Sequence, residues 1–168
     1  MALNNTKLTM SLASTQTNPL DLATGQTPLS YIKSIALSSG TGTNQADRIW
    51  HDQRTLAASG SENLDLAGAL TDSFGATITF ARIKMVLVVA SAANTNSVTI
   101  SREATNGVPL FLAASDGIPV RPGGLFCWAA PDATAVAVTA GTGDLLAIAN
   151  SGAGTSVTYD VVIIGASA

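Results

Sequence analysis

Between Val120 and Gly165 the chain is a run of short apolar segments broken by Gly, Pro, Asp and Asn: VRPGGLFCWAAPDATAVAVTAGTGDLLAIANSGAGTSVTYDVVIIG. The segments open near Gly124, Ala135, Asp144 and Thr155. Strands recurring at roughly 8 to 12 residues, with turn formers between them, point to a sandwich or a barrel. The stretch reads as a β-meander, and nothing in it has the look of an active site.

The segments upstream continue the pattern. Thr77 to Ala90 is the strongest apolar run, with Ile83, Met85, Leu87 and Val89 expected on one face and Val86 and Val88 on the other. Its β-branched content and missing helical stripe favour a buried central strand. Glu62–Leu66, Val98–Arg102, Val108–Ala113 and Ile118–Arg121 are shorter candidates separated by Gly, Asn and Asp turns. Eight to ten strands and no helix give an all-β expectation: an antiparallel β-sandwich of jelly-roll type.

Residues 1–45 differ. They are rich in Asn, Thr, Ser and Gly, and Pro19 and Pro28 argue against a regular helix or a central strand. The expectation is an extended N-terminal arm with one possible strand, Tyr31 to Leu37, ahead of a sandwich domain over 46–168. Leu12, Leu20, Leu22 and Leu29 are more apolar than a free linker requires, which makes them candidate docking residues. A disordered tail is the competing reading.

Asp47 to Ala58 alternates Trp50, Asp52, Arg54 and Leu56 on one face with Ile49, His51, Gln53 and Thr55 on the other. A strand polar on both faces suits a sheet edge. Either it makes a subunit contact through Arg48, Trp50, His51 and Arg54, or it is an exposed strand laced by ion pairs.

Composition narrows the function. The 168 residues allow one core of ordinary size. Hydrophobic residues make up 46% but charged residues only 11%, far below the usual quarter or so. Apolar surface on that scale is expected to be hidden against partner subunits. The longest apolar run, Met85 to Ala90, is well short of the roughly 20 residues of a membrane-spanning helix. Met1 to Ala13 lacks the continuous apolar segment of a signal peptide, so assembly in the cytoplasm is expected. Eight scattered basic side chains and a net charge of -3 offer no stripe for nucleic acid.

No catalytic, cofactor or metal site is expected. His51, Asp52 and Arg54 are the one acid–base cluster, but successive strand residues point to opposite faces. Asp132 and Asp144 stand in turn contexts and are expected to shape those turns. Cys127, the only cysteine, lies between Phe126 and Trp128, where a buried inert thiol is expected over a reactive one.

From about Arg48 onward, the phrases HDQRTLAASGSENLDLAGALTDSFG, RPGGLFCWAAPDATAVAVTAGTGDLLAIAN and TSVTYDVVIIGASA resemble small virion proteins of tailed bacteriophages, in particular head decoration, or cement, proteins. The resemblance covers roughly two thirds of the chain and lies in strands and turns. It implies a β-sandwich subunit, a homotrimer, that sits on the outer capsid surface, clamps the major capsid protein and catalyses nothing. A receptor- or glycan-binding jelly roll of a fibre or tail is the alternative. A tail-tube or neck component is a further one, and an enzyme comes last.

Overall fold

The computed structural model describes residues 3–168. Met1 and Ala2, the first residues of the expected arm, lie outside them. Every regular element among the described residues is a strand.

Two sheets make the sandwich. One has four strands, in the order Gly117–Val120 (β10), Val98–Arg102 (β9), Leu145–Asn150 (β13) and Ser61–Asp65 (β5). The other has five: Leu125–Ala129 (β11), Arg82–Ala90 (β8), Val157–Ala166 (β14) and Arg48–Leu56 (β4), with Val136–Ala137 (β12) also on β8. All pairings in both sheets are antiparallel. Alternate residues of the two sheets meet in one core that includes Ile83, Val86, Val88, Ile100, Leu146, Ile148, Tyr159, Val161 and Ile163. Burial of these side chains supplies the main favourable term for folding.

The meander expectation is corrected. After β10 the chain enters the five-stranded sheet at β11, crosses to the four-stranded sheet at β13, and returns as β14 between β8 and β4. Regular spacing of strands reflects only chain length per strand, whereas pairing is decided by which inner faces meet across the sandwich.

The Thr77–Ala90 run is also not one strand. Thr77–Ile78 (β7) pairs with Leu70–Thr71 (β6), and β8 begins only at Arg82. Nor do its faces divide as expected: Ile83 joins Val86 and Val88 inside, while Met85 belongs to a separate cluster outside. The cause is a bulge. Ile164 pairs with Met85 but Gly165 pairs with Ile83, leaving Lys84 as an extra residue that reverses the alternation. Gly165 is required there, because a Cβ would overlap the Arg82 carbonyl oxygen.

Val108–Ala113 is a loop, not a strand. Val108 is fully buried, Leu110 and Phe111 pack against the core, and Leu112 is exposed. The apolar residues therefore plug one end of the sandwich instead of joining a sheet.

The N-terminal segment is a long hairpin. Thr6–Pro19 (β1) and Thr24–Ser39 (β2) pair antiparallel without interruption from Thr6↔Leu37 to Pro19↔Thr24. Leu20 N–H donates to the Ala23 carbonyl at the tip. Both prolines are accommodated because in a two-stranded ribbon each strand has one edge that needs no donor. At its base, Ser38 and Ser39 lie beside Gln45–Ala46 (β3).

Candidate interaction surface

The hairpin is amphipathic. Directly paired residues share a face, so Leu8/Ile35, Met10/Lys33, Leu12/Tyr31 and Ser14/Leu29 form one side. Lys7/Ala36, Thr9/Ser34, Ser11/Ile32 and Ala13/Ser30 form the other, where the Thr9 and Ser34 hydroxyls hydrogen-bond at 3.1 Å. From Thr9 to Ser34 every residue except Gly25 is exposed. Met10, Leu12, Leu29 and Tyr31 are each more than half exposed, and at the tip Leu22 is 100% exposed.

The base of the hairpin is seated. Leu8, Ile35 and Leu37 pack with Ala46, Met85, Ala129 and Ile164, a cluster separate from the sandwich core. Met85, Ala129 and Ile164 lie in one row across the five-stranded sheet, on its outer face.

Lys84 locks this junction. Its bulged ammonium is fully buried and donates to the Gly42 carbonyl at 3.0 Å and to the Asp132 carbonyl. Desolvation lowers its pKa, and the nearby Asp132 works in the opposite direction. Asn44 N–H also donates to the Pro131 carbonyl at 2.7 Å, joining the loop after the hairpin to the loop after β11. Asp132 shapes that second loop as expected: its carboxylate accepts from the Thr134 hydroxyl and from the Thr134 and Ala135 N–H groups, and its pKa falls to about 2.

The outer face of the five-stranded sheet continues beyond the seat in two further rows. One holds Cys127, Leu87, Val162 and His51; the next holds Leu125, Val89, Asp160 and Gln53. Leu125 is 65% exposed, and Cys127 is exposed. The expectation of a buried thiol is thereby corrected: Phe126 and Trp128 point to the core, so the residue between them points out. Partial desolvation raises the pKa of the Cys127 thiol, which disfavours the thiolate. The outer face of the four-stranded sheet differs in kind, presenting Ser61, Asn63, Thr99, Ser101, Ala147 and Ala149.

The candidate contact residues are divided by the fold. Leu12 and Leu29 lie on the apolar face of the arm, and Leu20 and Leu22 at its tip. Arg48, half-buried, contacts Asp47 at 3.3 Å. His51 is exposed on the sheet's outer face, its Nε2 3.2 Å from the Ser73 hydroxyl. Trp50 is corrected: it is 4% exposed and belongs to the core, so it anchors the sandwich instead of a partner.

Arg54 is taken up by an intrachain network at the edge where β4 and β5 approach. Its Nε donates to Glu62 Oε2 at 2.6 Å and its guanidinium also meets Asp52 at 3.0 Å. The Tyr159 hydroxyl donates to Glu62 Oε1 at 2.7 Å. Glu62 thus ties both sheets together. Its hydrogen bond raises the Arg54 pKa, and burial, reinforced by Glu62, raises that of Tyr159. The ion-paired reading of this strand is the one that describes Arg54.

Met10 and Tyr31 were missed as surface residues, although the alternation Leu8, Met10, Leu12 against Lys7, Thr9, Ser11 is a readable strand signal. Among the described residues no group of three or more His, Cys, Asp and Glu is placed to hold a metal ion. No helix among them is long and apolar enough to cross a membrane. Comparison with protein-family models, curated proteins and solved structures yields no match.

Proposed function

We propose that the chain is a structural virion protein, a capsid decoration or cement protein that binds the outer surface of a phage head as a homotrimer and stabilises the lattice. The observation that carries this reading is the projecting hairpin, whose apolar patch of Met10, Leu12, Leu29 and Tyr31 is uncovered, as are Leu20 and Leu22 at the tip. A two-stranded ribbon is marginal in water by itself, and an exposed apolar face of this length marks a protein contact.

The strand order supports a jelly roll as its scaffold. With the eight main strands numbered along the chain from β4, the sheets run 1-8-3-6 and 2-7-4-5, two interlocked Greek keys. Jelly rolls serve widely as virion subunits, and the charge-poor composition suits close packing against neighbours. A cement protein of this kind stabilises the assembled lattice by mass action, since it binds the lattice and not its dissociated subunits. Trimeric linkage multiplies weak contacts at each site by avidity. The chemistry required is burial of apolar surface alone.

The test is occupancy of purified phage heads by the full chain and by a truncation lacking Met1 to Ser30. The reading predicts saturable binding that protects heads against heat and is lost on truncation. Undiminished occupancy by the truncated protein, or no binding by the full chain, would overturn it.

A further inference from the structure

We propose that the arm of one copy lies across the outer face of the five-stranded sheet of a second copy, apolar face on apolar face. This deepens the function proposed above; it rests on the self-association part of that reading and is independent of the capsid part.

The two faces already recognise one another within a single chain. Leu8, Ile35 and Leu37 of the arm sit on Met85, Ala129 and Ile164 of the sheet. Both surfaces then run on, the arm exposed and the sheet half-buried to exposed. The arm continues as Met10, Leu12, Leu29 and Tyr31, and the sheet continues as Leu87, Val89, Leu125, Cys127 and Val162. Each face carries one formally charged residue beyond the seat, and the signs are opposite: Lys33, paired with Met10, and Asp160, paired with Val89. Dimensions agree as well. The apolar stretch of β1 from Met10 to Ser14 and the part of β14 beyond the seat, Thr158 to Val162, are each five residues, about 16 Å. The four-stranded sheet, with its small and polar outer residues, offers no comparable seat.

Because arm and sheet are different surfaces, the contact is head-to-tail in the three-fold arrangement of the proposed trimer. Repeated by rotation it closes into a small ring in which every copy both gives and receives an arm.

Cys127, as the only cysteine, makes the arrangement directly testable. In Leu12→Cys protein, mild oxidation is expected to join chains through position 12 of one and Cys127 of the next, giving covalent multimers on a non-reducing gel. Thr9→Cys, on the polar face of the arm, is expected to join none. Lys33→Glu and Asp160→Lys are each expected to weaken association at least tenfold, and the double exchange to restore it. In the wild-type assembly Cys127 is expected to react with a maleimide at least tenfold more slowly than in a Leu12→Ser/Tyr31→Ser variant. Linkage confined within single chains, linkage that persists after Cys127→Ser, or a freely reactive Cys127 in an assembled protein would overturn the seating while leaving self-association intact. A wild-type protein with the mass of one chain at every concentration would overturn the self-association itself.

Discussion

The sandwich and the arm are written in the same alternating code and meet different fates. In β14, Val157, Tyr159, Val161 and Ile163 turn inward and are covered by the opposite sheet. In β1 and β2, Leu8 and Ile35 are covered only at the root, and from Met10 outward the same alternation meets solvent. The sandwich satisfies its apolar face within the chain. The arm does so only for its first two rows, Thr6/Leu37 and Leu8/Ile35, and leaves the rest exposed, which is the surface the proposed function assigns to a partner.

Breaking the core should damage the sandwich irrespective of the arm. Trp50→Ala removes a large side chain from the interior and is expected to cost about 3–5 kcal/mol, read as a lower denaturant midpoint at unchanged oligomer mass.

A smaller loss is expected at the stitched edge. Glu62→Ala strips the acceptor from the buried Tyr159 hydroxyl, for about 1–3 kcal/mol. The same network predicts a pH effect. The folded state holds the Tyr159 proton after the unfolded chain has released its own at about pH 10, so stability must fall as pH rises above that value. Melting curves between pH 9 and 11 should show this fall in the wild type and a shallower one in Tyr159→Phe.

Lys84→Met sharpens the comparison where the two regions join. It leaves the Gly42 and Asp132 carbonyls without their buried donor, for about 1–2 kcal/mol. Hydrogen exchange should rise first at Gly42 and Asn44 and leave the strands β9 and β13 protected. The smallest effect on stability belongs to the arm: Leu12→Ser/Tyr31→Ser should change sandwich unfolding by less than about 0.5 kcal/mol. The same double variant should nevertheless abolish assembly, measured by native mass.

How much of this was legible in the sequence follows from the range of the interactions involved. Alternation is a property of neighbouring residues, so the all-β class and the inward set of β14 could be read directly from residues such as Val161 and Ile163. The route of the chain between sheets depends on contacts far apart in sequence, and the meander reading failed there. The bulge at Lys84 was hidden because it is defined by the partner strand: only opposite Ile164 and Gly165 does one residue become supernumerary. Trp50 is subject to the same limit. Its strand lies at a sheet edge, but the face it occupies is roofed by the other sheet. The aromatics flanking Cys127 suggest burial, yet alternation makes inward neighbours the reason for an outward thiol. In the arm, the excess of leucines over what a free linker requires is legible, whereas the hairpin pairing that aligns Leu12 with Tyr31 is not.

The central claim is that the sandwich is self-sufficient and the arm is not. Amide hydrogen exchange on the assembled wild type and on the Leu12→Ser/Tyr31→Ser variant tests it most directly. The account predicts equal protection of β8, β9, β13 and β14 in both proteins, with β1 and β2 beyond Leu8 protected only in the wild type. Equal protection of the arm in both, or none in either, would contradict it.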